Sequence, residues 1–279
     1  MKNIFIFIER ATLVVALIFL SACATTAPQT KEILRSPPKI ALSAEIEVPF
    51  IDQTAGHCGP STLTMAMQWA GHRARLEQIS HEVMNPKQNG SLQEDLISSC
   101  RREGMMGIRL EGMEALLKEV DAGHPVIIFE NLGLSWYQQW HYAVVVGYDL
   151  RKEALILHSG HTPFEHIDMR IFERSWKLSD YWALVVLKPG DLAVAADEFA
   201  NLQAAAGLEQ IDMNEAAGKS YAAILNRWPQ SLGALVGMGN LAYKRNDFKS
   251  AVSYLREAQR FYPENQMLLH NLRLAEKRL

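Results

Sequence analysis

The sequence predicts an α+β domain, with an N-terminal helix packed on an antiparallel sheet, followed by an all-α domain. Three observations carry this prediction. Helical patterns fill residues 58–120, and β-branched or apolar runs then fill 126–187, an order that favours an antiparallel sheet over alternating βα units. Lys188-Pro189-Gly190-Asp191 breaks the strand-rich region. Beyond it the chain is alanine-rich and helical, with Pro229 and Pro263 offset by 34 residues.

The start of the chain sets its location. Lys2 and Arg10 precede Ala11–Leu20, an apolar run too short to span a bilayer and suited to a signal-peptide core. It ends in Leu20-Ser21-Ala22-Cys23, which resembles the lipobox of bacterial lipoproteins, in which the cysteine carries the lipid. That resemblance implies a signal peptide over 1–22 and lipidation at Cys23. With Ala24 rather than Asp after it, it implies an outer-membrane anchor facing the periplasm. Polar, proline-bearing residues follow, and 23–43 reads as a lipidated tether. Residues 44–190 form the α+β domain and 191–279 the helical domain.

Within the α+β domain, Glu45–Ile51 reads as a short strand. A helix opens at Cys58 and closes near Gly71. Leu76–Met84 is a second helical run. Ser91-Leu92-Gln93-Glu94 has the form of a capping box with Ser91 as N-cap, starting a helix to about Arg102. Met113–Val120 is amphipathic and stops at Gly123 and Pro125. Val126–Phe129, His141–Asp149, Ala154–His158 and Tyr181–Leu187 are the strands.

The chemistry is concentrated in Gln53-Thr54-Ala55-Gly56-His57-Cys58-Gly59-Pro60. A thiol at a helix N-terminus feels the positive end of the helix dipole, which favours thiolate, the nucleophilic form. Gln53 is placed to donate its amide N–H to an oxyanion beside the sulfur. His141 opens an apolar strand and supplies a base. These residue types together read as a cysteine hydrolase. His57 and Gly59 flank the nucleophile, and Trp136 and Trp140 precede the histidine in an aromatic loop. All four are candidates for the substrate wall.

Gln53…Cys58-Gly59-Pro60, Gly123-His124-Pro125-Val126-Ile127 and His141-Tyr142-Ala143-Val144-Val145-Val146-Gly147-Tyr148 resemble the bacteriocin-processing, double-glycine-leader peptidases, a family of papain-like cysteine peptidases. The resemblance covers roughly Ile46 to Val186. It implies a papain-like fold, with Cys58 as nucleophile, His141 as general base, Gln53 as oxyanion donor, and cleavage after small residues such as Gly-Gly. That family ends the strand after the histidine strand with an aspartate that orients the imidazole. Here the stretch is Leu155-Ile156-Leu157-His158-Ser159-Gly160, so Ser159 holds the third-member position. Asp149 is no substitute, because it lies about 27 Å from His141 along the same strand. Either Ser159 accepts the imidazole N–H through its hydroxyl, or Glu130 or Asn131 fills the role.

The 34-residue offset is the tetratricopeptide period. Leu235, Met238, Gly239, Phe248, Ala251, Leu255, Ala258 and Pro263 sit where such a repeat places them. The unit before it is degenerate, and Leu268–Leu279 reads as a cap. The resemblance implies a protein partner on the helical domain.

The remaining observations set bounds. Loss of residues 1–22 takes the formal charge from −3 to −4, and no basic block marks a nucleic-acid partner. Cys58 and Cys100 are expected free, since pairing would destroy the nucleophile. His158, His161 and His166 lie in what reads as a β-hairpin and lack the Cys or Asp company of a metal site, so neither metal nor cofactor is expected. Three functions fit: a peptidase acting on a peptide or protein substrate, a non-catalytic peptide-binding lipoprotein, and a cysteine amidase or acyltransferase on cell-envelope material.

Overall fold

The computed structural model describes residues 27–54, 56–134 and 136–279. The signal peptide and Cys23 lie outside the described residues. Along the chain run α1 (Pro28–Arg35), β1 (Ser43–Glu45), α2 (Cys58–Trp69), α3 (Leu76–Val83), β2 (Met84–Asn85), β3 (Gly90–Ser91) and α4 (Gln93–Arg102). Next come β4 (Met106–Glu111), α5 (Met113–Asp121), β5 (Val126–Asn131), β6 (Trp140–Asp149), β7 (Ala154–Ser159), β8 (Thr162–Asp168), α6 (Met169–Trp176) and β9 (Trp182–Leu187). Five helices complete the chain: α7 (Glu198–Gln210), α8 (Asn214–Arg227), α9 (Leu232–Lys244), α10 (Phe248–Phe261) and α11 (Gln266–Glu276).

The α+β domain is built on a sheet of order β4-β9-β5-β6-β7-β8, with β1 also paired to β6. Every pairing in it is antiparallel. Strand alternation assigns its two faces. Phe129 and Tyr142, partners across β5–β6, bring their rings to 4.5 Å on the face that meets α2. Glu130, one residue along, faces the other way and meets Ser175 of α6. Helix α2 is buried along Gly59–Met67, where Leu63, Met65, Ala66 and Met67 pack into the core and the hydroxyls of Thr62 and Thr64 donate to backbone carbonyls of the helix's first turn.

Several expectations are corrected. The tether over 23–43 is folded from residue 28. Buried Glu173 accepts the N–H groups of Gln29 at 2.9 Å and Thr30 at 2.7 Å, Thr30 Oγ1 donates to Met169 O, and Met113 N–H donates to Gln29 Oε1. Two free N–H groups at a helix start suit a carboxylate. The capping box is absent: Leu92 is the N-cap of α4, without a side-chain cap, and Ser91 pairs with Met84 in the β2–β3 hairpin. The strand foreseen over 45–51 is confined to Ser43–Glu45. Strand β4 and helix α6 were not foreseen, while β8 is the outgoing arm of the hairpin expected over His158–His166. In β4 the alternation is interrupted by Gly107, which weakens a strand signal. The glycine is needed because a Cβ there would come within 2.9 Å of Cys100 Cβ on α4.

The boundary at 190 does not divide the packing. Helix α7 lies against the edge strand β4, and Ala205, Leu208, Tyr221 and Ile224 belong to the same buried cluster as the sheet. The connecting segment is held from both sides. Glu119 accepts from Ala195 N at 2.7 Å, Asn201 Oδ1 from Ala193 N, and Arg227 donates to the carbonyls of Ala193 and Val194. A separate cluster joins α9, α10 and α11. No helix among the described residues is long and apolar enough to cross a membrane.

Candidate active site

Helix α2 starts at Cys58, with His57 as its N-cap residue and no side-chain cap. The Cys58 sulfur lies within hydrogen-bonding reach of the backbone N–H of Tyr142, next to His141, and of the N–H groups of Gly59 and Cys58. These donors favour thiolate, yet burial outweighs them and holds the thiol above its ordinary range. The helix terminus therefore does not by itself give the activated thiolate that the sequence suggests. Burial also pushes His141 down to about 4. Both groups rest neutral at pH 7, and the proton must move between them when the thiol attacks.

Cys58, His141 and Gln53 line one cavity of about 700 Å³. His141 Nε2 lies 3.1 Å from Ser159 Oγ, which leaves Nδ1 as the ring atom for exchange with the sulfur. Asp149 is at the far end of β6 and accepts from the N–H groups of Arg151 and Lys152. Asn131 Oδ1 is occupied by the N–H groups of Gly133 and Gln139 and points to the opposite face from His141.

Gln53 is buried, and its Oε1 accepts from Gly160 N at 3.1 Å, while its own N–H donates to Gly160 O at 3.1 Å. Its Nε2 has no partner. A buried donor left unpaired costs about 1–3 kcal/mol, so its retention beside the thiol calls for a function. The turn from β7 to β8 organises the whole site. Ser159 holds His141, Gly160 holds Gln53, and His161 pairs with Asp52 at 2.5 Å.

The cavity has two unlike walls. One is aromatic, made of Phe129, Tyr142 and Trp140, with Trp140 stacked on Phe129 at 4.9 Å. The other is polar and runs from Gln88 to Gln93. Of the four expected wall residues, only Trp140 lines it. Gly59 is buried against Ser91, His57 occupies the N-cap position of α2 outside the cavity lining, and Trp136 projects into solvent at 81% exposure. The 88–93 wall was missed because its carboxamides and Gly90 read as a turn and a cap. Cys58 and Cys100 are free thiols, and burial raises Cys100 to about 12. Among the described residues no group of three or more His, Cys, Asp or Glu could hold a metal ion. His158 is instead buried between Val48 O and Phe164 N–H.

A cysteine-led helix packed on an antiparallel sheet that carries a histidine defines the papain-like class of cysteine peptidase folds. Residues 45–183 match the Peptidase_C39 like family, and the domain they form belongs to it. No curated protein matches the chain. Solved structures similar to it include a C39-like peptidase from Bacillus anthracis, at 20% identity and TM-score 0.45, covering 52% of this chain and 98% of that one. A double glycine motif protease from an AMS/PCAT transporter, in complex with its leader peptide, is 19% identical at TM-score 0.41 and covers 51% and 93%. The peptidase domain of Streptococcus ComA, a bi-functional ABC transporter involved in quorum sensing, is 17% identical at TM-score 0.41 and covers 50% and 97%.

Proposed function

We propose that this chain is a lipid-anchored periplasmic cysteine peptidase, held by Cys23 at the outer membrane. The observation that carries the reading is the buried, unpartnered Gln53 Nε2 on the same cavity as Cys58 and His141. In the reaction His141 Nδ1 takes the thiol proton and Cys58 Sγ attacks the substrate carbonyl carbon. The oxyanion is met by Gln53 Nε2–H and the Cys58 N–H, and His141 returns the proton to the leaving amine. Water, deprotonated by the same imidazole, then hydrolyses the thioester. The substrate is an extended peptide, its backbone served by the carboxamides of residues 88–93 and its side chains by Phe129 and Trp140. The resemblance to double-glycine peptidases supports cleavage after small residues such as Gly-Gly. The helical domain would recruit a partner as a tetratricopeptide-type scaffold. Support for this is the cavity of about 250 Å³ between α9 and α11, lined by Asn240, Lys244, Asn271 and Leu274.

The neutral resting thiol favours one second reading, a peptide-binding lipoprotein without turnover. Alkylation of the full chain with iodoacetamide, located by mass spectrometry, separates the two. Cys58 labelling that His141→Ala slows, followed by cleavage of members of a peptide library, supports the peptidase. Labelling unaffected by His141→Ala, with no cleavage, supports the binder.

A further inference from the structure

The imidazolium formed when His141 accepts the thiol proton has a neutral hydroxyl, Ser159, as its hydrogen-bond partner. A hydroxyl orients the ring and leaves its charge uncompensated. The strand register places a carboxyl beside it. Glu130 stands directly opposite His141 in the β5–β6 ladder. Directly opposed residues project from one face with Cβ atoms about 4.5–5.5 Å apart. The neighbouring Phe129–Tyr142 ring contact on the other face fixes that alternation independently. Glu130 is 2% exposed, makes no ion pair among the described residues, and is oriented by Ser175 Oγ, which donates to its Oε2 at 2.5 Å.

We infer that Glu130 is the positioning acid of this site, its carboxylate supplying across the β5–β6 ladder the negative charge that the His141 imidazolium needs. The inference rests on the Cys58–His141 reading above. The groups facing Glu130 are His141 from β6, Glu165 from β8 and Ser175 from α6. On α6 Glu173 is committed to the start of α1, Lys177 just beyond α6 is exposed, and β9 carries no titratable side chain. Burial, with Glu165 adding to it, raises the Glu130 carboxyl to about 7. Below neutrality Glu130 keeps its proton and offers the imidazolium nothing. As pH rises through that value it releases the proton to solvent, and transfer of the thiol proton to His141 becomes favourable.

The test is the pH profile, from 5.5 to 9, of iodoacetamide alkylation at Cys58 in the full chain in detergent. Wild type, Glu130→Gln, Glu130→Asp and His141→Ala are compared. Glutamine keeps the shape and the acceptor for Ser175, and a thermal melt verifies folding. A nearby opposite charge moves a pKa by about 1–3 units. The expected result is a His141-dependent rise near pH 7 in wild type, and a displacement of that rise to higher pH by about one unit or more in Glu130→Gln. The rate at pH 7.5 then falls about tenfold, and Glu130→Asp recovers part of it. A Glu130→Gln profile that superimposes on wild type, beside a clear effect of His141→Ala, overturns the inference alone. Identical profiles for wild type and His141→Ala overturn the dyad and this inference with it.

Discussion

At the residue scale, Gln53 Nε2 is one of three buried side-chain atoms left without a partner among the described residues, with Ser61 Oγ and Asn131 Nδ2, and it is the one whose residue lines the Cys58 cavity. The Gln53 carbonyl and backbone are satisfied by Gly160, and only the amide nitrogen is left over. Peptide aldehydes add a thiol to give a hemithioacetal whose oxygen occupies the oxyanion position, whereas alkylation by iodoacetamide forms no oxyanion. Gln53→Ala should therefore weaken aldehyde binding by about 10²-fold and leave Cys58 alkylation within about twofold of wild type. Equal losses in both assays would show that Gln53 only holds the loop. The linkage of the two buried groups can be checked by stability. His141, depressed to about 4 in the fold from an ordinary 6.5, binds fewer protons folded than unfolded in between. Its contribution is lost as pH falls from about 6.5 towards 4. Glu130, raised to about 7 from 4.5, runs the other way: its contribution is full below 4.5 and is lost as pH rises through 7. Glu130→Gln should accordingly raise Tm at pH 8 and leave it unchanged at pH 4.5, measured by circular dichroism. A variant that is more stable yet less reactive is what a functional, costly residue produces. Cys58, His141 and Gln53 were legible in the sequence because Cys58 opens a helix, His141 opens an apolar strand, and the three together resemble the double-glycine-leader peptidase motif. Glu130 was legible only as one of two alternatives to Ser159, since its pairing with His141 is a long-range register that no local pattern prints.

At the element scale, the turn between β7 and β8 couples the two halves of the site. Gly160 sits at φ +56°, a left-handed conformation, and its N–H serves Gln53. Proline there forbids that φ and removes the donor. Gly160→Pro should lose both readouts together, the aldehyde affinity and the His141-dependent alkylation, where Gln53→Ala loses only the first. Retention of the alkylation step in Gly160→Pro would mean that Ser159 and Gly160 act separately. This turn also marks the limit of sequence reading. The strands at 126–131, 140–149, 154–159 and 182–187 are continuous apolar runs and declare themselves. Strand β8 carries Thr162, Glu165, His166 and Asp168 and is largely exposed, so the sequence suggests a hairpin near His158–His166 without its bounds, although β8 pairs along most of β7. Ser91 misled in the opposite direction, because a capping sequence scores the same whether the serine ends a hairpin or starts a helix.

At the scale of the whole molecule, the described segments on both sides of the α+β domain pack onto it, α1 through Glu173 and α7 through β4. If Cys23 carries the lipid, only residues 24–27 separate it from α1, a reach of about 14 Å. The domain would then sit close against the bilayer instead of swinging on a tether of some twenty residues. At the other end α7 covers the edge strand β4, and the cluster that includes Ala205, Leu208 and Tyr221 is continuous with the sheet core. Arg101 of α4 lies so near Gly207 that a Cβ there would approach its Nε to 2.7 Å. A chain ended after residue 190 exposes β4 and strips these contacts, and an uncovered edge strand invites association. Such a truncation should melt well below the full chain and aggregate on heating. A truncation after residue 246, which removes α10 and α11, spares this cluster and should keep the site's alkylation profile. Thermal melts with light scattering separate the cases. If the 190 truncation melted like the full chain, the helical region would be an independent appendage, and its contacts with α4 and β4 would contribute nothing to the site. Loss of folding in the 190 truncation alone would mean that α7–α9 stabilise the α+β domain and that α10 and α11 are dispensable to it, which divides the helical region at a point that the 34-residue period does not mark.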